Sequence, residues 1–185
     1  MNIAVRTLGP ADLLMYHAFR LRGLEAHPEA FTSDHDEAEA RGPEMLRHRL
    51  SADPASGNFV LGAFDRHGRL VGMVGLERLA RKKESHTALL FGMYVPAEIA
   101  GQGIGRRLLQ DVLDRARQVP GVERIQLTVT RTNAPAVHLY ESVGFKAFGM
   151  ETGAIRVDGQ YYDKVYMALV LARSGAISAS SSIGS

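Results

Sequence analysis

Residues Ala88 to Val95 form an apolar run, ALLFGMYV, that stops at Pro96. Glycines then fall on alternate positions, Gly101, Gly103 and Gly105, and a helical pattern of apolar residues opens at Ile104. No other stretch restricts the fold as much. A strand must feed a glycine-rich turn, and that turn must start a helix. Glycine lets the backbone take positive φ and lets a ligand approach it closely. The helix start offers free N–H groups and a partial positive charge. The arrangement predicts a site for a phosphorylated ligand.

Spacing excludes two common phosphate loops. A Walker loop ends in Gly-Lys-Ser/Thr, whereas Gly105 is followed by Arg106-Arg107-Leu108. A dinucleotide fingerprint needs Gly-x-Gly-x-x-Gly; after Gly101 and Gly103 the required position holds Arg106. The next strand should then end on an acid, yet it ends Val129-Thr130-Arg131.

The rest of the chain supplies a mixed set of elements. Asn2–Leu8 alternates and reads as a strand. Gly9-Pro10 breaks it, and a helix runs from Pro10 or Ala11 to Arg22, with Leu13, Leu14, His17, Ala18 and Leu21 as its inner stripe. Residues 28–40 are irregular or partly helical, and Gly42-Pro43 restarts a helix to about Leu50. Asn58–Asp65 and Leu70–Ala80 pair across Arg66–Arg69, and Ser85–Val95 is the third strand of that meander. The helix after the glycines runs to about Val119 before Pro120-Gly121. Arg124–Thr130, RIQLTVT, reads as a strand parallel to the one before the helix. A short helix covers Pro135–Val143, with Thr132 or Asn133 as its cap and Gly144 as its stop. Phe145–Ile155 and Tyr161–Leu171 close the chain as a hairpin. The expectation is one domain over residues 1–173 and a disordered tail over 174–185, which is small and polar.

Composition narrows the function. The 185 residues carry a net charge of +2, which argues weakly for a nucleic-acid partner. The longest apolar run is far short of the roughly 20 residues that span a membrane, and no signal-peptide pattern opens the chain. A cytoplasmic protein without membrane or nucleic-acid partners is expected. There is no cysteine, which removes disulfides, thiolate metal sites and a cysteine nucleophile. The seven histidines form no His-x-x-x-His pair, so no metal is expected.

Alternate glycines after such a strand resemble the pyrophosphate loop of the GNAT N-acetyltransferase superfamily, Arg/Gln-x-x-Gly-x-Gly/Ala, matched by Gly103 and Gly105. The family's leading Arg or Gln falls on Ala100. A second motif supports the first: Asn133, Ala136, Tyr140, Gly144 and Phe145 are similar to the family's N-x-x-A-x-x-x-Y-x-x-x-G-F. The resemblance covers nearly the whole chain to about Ala172. It implies an α/β fold: a mixed, mostly antiparallel sheet with a splayed parallel pair of central strands, flanked by helices. It also implies acetyl-CoA as co-substrate. The expected function is direct transfer of acetyl to a primary amine in a ternary complex, without a covalent acyl-enzyme. The alternative is a non-catalytic acyl-CoA sensor.

Residue roles follow from that resemblance. Splayed strands free backbone groups at Met93, Tyr94 and Val95, which an amide-rich pantetheine arm would pair as an added strand. Gly101, Gln102, Gly103, Ile104, Gly105 and Arg106 would hold the pyrophosphate, and Asn133 and Ala136 the arm. Tyr140 is the expected general acid for the departing thiolate, since a phenol of pKa about 10 is protonated at neutral pH. The base is Glu77 or His86, or a water chain. Leu24, Glu25 and Phe31 are placed near the acceptor mouth. The following carboxylates, Asp34, Asp36, Glu37 and Glu39, fit either a patch that steers a cationic amine or a helix start. The acceptor is a small-molecule, peptide or protein amine. Similar proteins also form homodimers through the C-terminal strands.

Overall fold

The computed structural model describes residues 3–50 and 53–171. Seven strands form one sheet in the order β1-β2-β3-β4-β5-β7-β6. The strands are β1 (Ala4–Thr7), β2 (Phe59–Phe64), β3 (Leu70–Arg78), β4 (Thr87–Tyr94), β5 (Arg124–Thr130), β6 (Lys146–Val157) and β7 (Gln160–Val170). The helices are α1 (Leu13–Ala26), α2 (His35–Arg41), α3 (Arg47–Leu50), α4 (Ile104–Gln118) and α5 (Ala134–Ser142). All neighbouring strands run antiparallel except β4 and β5. This is the mixed sheet that the resemblance implied.

Each face of the sheet has its own core. On one, α4 lays Ile104, Leu108, Leu109, Val112, Leu113 and Ala116 against β2 and β3, each at most 3% exposed. These are the residues its 3.6-residue period selects. Each fully buried Leu, Ile or Val contributes about 1.5–3 kcal/mol. On the other face, α1 packs Leu13, Tyr16 and Phe19 against Val60, Phe64, Met73 and Tyr94.

The parallel pair divides the sheet. β4 and β5 pair only from Thr87–Arg124 to Leu89–Gln126, although β5 continues to Thr130 and β4 to Tyr94. Beyond Leu89 the strands diverge. A bulge helps to steer β4 away: from Gly75 to Met73 β3 advances two residues while β4 advances three, from Phe91 to Tyr94. Gly92 absorbs the extra residue at φ +61°, and such bulges bend and twist the strand that carries them.

Two expectations are corrected in α1. Its first turn, Pro10–Asp12, is a 3-10 helix, and the α-helix extends to Ala26. Its buried residues are Leu13, Tyr16, Phe19, Arg20, Gly23 and Leu24, while Leu14 is 72% exposed. The inner face therefore differs from the aliphatic stripe expected. Gly23 sits against the ring: an added Cβ there would lie 3.0 Å from Tyr94, so a larger residue would require the ring or the helix to give way. Gly42–Leu50 likewise splits into a 3-10 segment (Pro43–Leu46) and the one-turn α3. β1 is shorter than expected at both ends. The expected tail, 174–185, lies outside the described residues.

The β2–β3 hairpin is fixed by Asp65. Its buried carboxylate accepts from the backbone N–H of His67 (2.9 Å) and Arg69 (3.0 Å) and from Arg69 Nε (2.8 Å). These donors hold its pKa down to about 2. The folded state thus keeps the charge to lower pH than the unfolded chain. The stabilisation is complete above about pH 4 and is lost as pH falls through about 2. Asp65→Asn should lower the melting temperature at pH 7. Thermal melts across pH should show the gap to wild type narrowing as pH drops below 4.

Candidate active site

The divergence of β4 and β5 opens a passage through the sheet. On the α4 and α5 side it widens into a cleft of about 510 Å³, walled by Met93, Tyr94 and Val95 of β4, by Gly101 and Gly103–Arg106, and by Asn133, Ala136, Leu139 and Tyr140. On the α1 and α3 side lies a cavity of about 230 Å³, with Phe91, Gly92, Arg20 and Arg49 in its wall. Ala30, Phe31, Met93, Asn133, Ala136 and Tyr140 line both.

The glycine turn has the conformation its sequence demands. Gly101 and Gly103 stand at φ +76° and +81° with open space where a Cβ would be. A side chain at Gly103 would meet nothing, so its requirement is conformational. Gly103 caps α4 in the left-handed region. The free N–H groups of the first turn of α4 and the Arg106 side chain border the cleft, and no carboxylate lines it. A polyanion fits such a wall. The free β4 edge fits an amide-bearing chain.

Tyr140 occupies the junction. It is 6% exposed, packs edge-on against Phe145, and its hydroxyl lies 3.5 Å from Met93 Sδ. Burial raises its pKa well above the ordinary phenol value, so it stays a proton donor at neutral pH. Asn133 Oδ1 accepts from Ala136 N at 3.2 Å and caps α5. Its amide nitrogen is not used by that cap.

The smaller cavity is walled in part by residues 30–33, and the 28–33 segment is held by side-chain bonds. Thr130 Oγ1 donates to the Glu29 carbonyl (2.7 Å), Lys164 Nζ to Thr32 Oγ1 (2.7 Å), and Arg20 Nη2 to Ser33 Oγ (2.8 Å). Phe31 thereby reaches both cavities. Leu24, by contrast, is 1% exposed within the fold, and Glu25 is exposed; neither lines a cavity. Gln102 lies in the turn but not in the cleft wall. Glu77 sits opposite Leu89, where β4 and β5 are still paired, and His86 precedes β4. Both are exposed and line neither cavity.

The carboxylates after Phe31 serve α2: Asp34 caps it by accepting from Glu37 N (3.0 Å), and Glu37 pairs with Arg41. None of them lines the cleft or the smaller cavity, but Asp34 and Glu37 line a neighbouring cavity of about 300 Å³ together with Arg20 and Arg49. Sequence reasoning missed His27, which lines the cleft and packs on Tyr94, and the Arg22–Glu98 pair that ties α1 to the glycine turn. It also missed Arg20 and Arg49. Arginine within the apolar Tyr16–Leu24 face was the available signal. Among the described residues no cluster of His, Asp or Glu could hold a metal ion, and no helix is long and apolar enough to cross a membrane.

A splayed parallel pair, a glycine turn at a helix start and a buried phenol at the junction fit an acyl-CoA-dependent transferase. The family model described as "Acetyltransferase (GNAT) family" matches residues 21–145. The chain belongs to that family and, with it, uses acetyl-CoA as acyl donor. It is 29% identical over 158 residues to the L-amino acid N-acetyltransferase AaaT of Escherichia coli, covering 81% of this chain and 90% of that protein. It is 42% identical over 96 residues to the N-alpha-acetyltransferase RimI of Mycobacterium tuberculosis, about half of each chain (50% and 55%). A GCN5-related N-acetyltransferase from Kribbella flavida superposes with a TM-score of 0.77 at 26% identity, covering 91% of this chain and 98% of the other.

Gly103→Ala should cost about 1–2 kcal/mol at its left-handed position and disturb the α4 start. Calorimetric titration should show acetyl-CoA binding weakened about tenfold.

Proposed function

We propose that this protein transfers acetyl directly from acetyl-CoA to a primary amine, with both bound at once on opposite sides of the sheet. The observation that carries this reading is Tyr140, which lines both cavities where they meet. Acetyl-CoA supplies an acyl group on a thiolate leaving group. The chain has no cysteine on which to park an acyl group, which favours direct attack. The names of relatives, one for L-amino acids and one for alpha-amines, accord with an amine acceptor.

The residues divide the work. The Gly101–Arg106 turn holds the pyrophosphate, the β4 edge at Met93–Val95 takes the pantetheine arm, and Asn133 and Ala136 close its other side. A backbone N–H at Tyr94 or Val95 meets the carbonyl oxygen as negative charge grows there. Tyr140 donates to the departing sulfur. A phenol raised this far is a weaker acid than an ordinary thiol, so in water the transfer would run uphill. Inside the cleft the thiolate is desolvated as well, which raises its own proton affinity and restores the match.

The incoming ammonium must lose a proton first. No carboxylate or imidazole lines the acceptor-side cavity. Glu77 or His86 therefore reaches the amine only through water, and a chain of water serves as the base.

Saturating acetyl-CoA should raise the melting temperature; no shift with acetyl-CoA or CoA would sink this reading. Tyr140→Phe should lower kcat about 100-fold or more while leaving the acetyl-CoA Kd near wild type. Full turnover in that variant would remove Tyr140 from the chemistry. Acetyl-CoA binding with no turnover of any amine would point to a sensor.

A further inference from the structure

Two arginines, Arg20 and Arg49, face the smaller cavity without an ion-pair partner, although Asp34 and Glu37 line a neighbouring cavity that both arginines also border. Arg20 of α1 and Arg49 of α3 line the acceptor-side cavity, whose wall holds no carboxylate. They stand over consecutive residues of β4. An added Cβ on Gly92 would lie 4.0 Å from Arg20 Nη1, and Arg49 Cζ lies 4.6 Å from the Phe91 ring centroid. Neither guanidinium forms an ion pair among the described residues. Arg20 is 9% exposed, and its side chain donates only to Ser33 Oγ. Arg49 Nε is shut off from solvent with no acceptor at all.

Such an arrangement is unfavourable by itself. A guanidinium offers five donors and does not give up its proton. Burying one without a partner is unfavourable, and a second cation beside it adds repulsion. The Arg20 pKa is lowered chiefly by burial, with Tyr16 opposing and the charge of Arg49 adding a smaller lowering. An anion between the two would answer the unused donors, the lost solvation and the repulsion together.

Position sets the chemistry of that anion. Met93, which touches the Tyr140 hydroxyl, lies one and two residues beyond Gly92 and Phe91. Arg20, Arg49, Met93 and Tyr140 line one cavity of about 230 Å³, so an acceptor that fills it brings its anion near the reacting centre. The anionic group must therefore be close to the amine within the acceptor. A polyamine would place a second cation there, and a peptide N-terminus a neutral amide.

Resting on the transferase reading above, we infer that the acceptor is a small amine bearing its own oxyacid anion, a carboxylate or phosphorus oxyacid, held by Arg20 and Arg49.

The test follows CoA release with a thiol reagent, which this cysteine-free chain does not consume. The panel contains the L-amino acids, their C-terminal amides, aminoalkylphosphonic acids and spermidine. The best acid should exceed its own amide at least tenfold in kcat/KM. A preferred phosphonic acid assigns the anion to phosphorus; a preferred amino acid assigns it to a carboxylate. Arg49→Gln should raise KM for that acid about 10–100-fold, leave the acetyl-CoA Kd unchanged, and collapse the acid-to-amide ratio. Arg49→Lys should restore part of that ratio. Arg20→Gln should act alike; Arg49 is the primary variant because Arg20 also packs within the core. Amides or spermidine used as well as every acid would overturn the inference, as would an unchanged ratio in Arg49→Gln, or no acid turned over by protein that binds acetyl-CoA. Absence of acetyl-CoA binding would instead sink the transferase reading.

Discussion

Three rungs of parallel pairing, Thr87–Arg124 to Leu89–Gln126, form the only ladder between β4 and β5, and the rest of the site depends on where that ladder stops. If it continued to the ends of both strands, the passage would be closed by backbone hydrogen bonds. Because it stops, β4 keeps a free edge beside Met93, Tyr94 and Val95, and the residues that follow diverge to the glycine turn. Leaving strand groups without partners in a half-buried place is unfavourable. The Gly92 bulge and the α1 contact at Gly23 hold β4 in that position. The cleft, the helix start beside it and the placement of Tyr140 between two cavities all follow from the same divergence.

Much of this was legible in local pattern. β5 has the bounds that RIQLTVT indicated, and the buried face of α4 is the one its period selected. Both depend on residues close in sequence. The glycine turn was legible because positive φ is a local demand that side-chain-bearing residues meet poorly. Asn133 was readable as a cap because its bond to Ala136 spans three residues. The residues of the second motif that meet the cleft, Asn133, Ala136 and Tyr140, face the glycine turn across it.

The N-terminal third was less legible, and the reason is long-range packing. The inner face of α1 contains Arg20 and Gly23, which no hydrophobic pattern marks. Gly23 is inside, where its missing side chain leaves room for the ring of Tyr94, some seventy residues later. The acidic run from Asp34 to Glu39 fitted either a patch steering a cationic amine or a helix start, and Asp34 and Glu37 do cap and brace α2. The charges that line the smaller cavity are two arginines separated by twenty-nine positions. No sequence window contains both, and their meeting over Phe91 and Gly92 is a property of the fold.

The two ends of the passage are written in different alphabets. In the proposed reading, the donor end relies mainly on backbone: a free strand edge, a helix start and a turn of left-handed glycines. The acceptor end relies on side chains, and the 28–33 segment that covers it is tethered through Thr130, Lys164 and Arg20. Backbone geometry is hard to alter piecemeal, since changing it moves whole elements. Side chains on a tethered segment can be exchanged singly. A lineage built on this plan could change its clientele by a few replacements around the α1–α3 wall while inheriting its acyl donor unchanged. The modularity lies within one domain, along the axis that crosses the sheet.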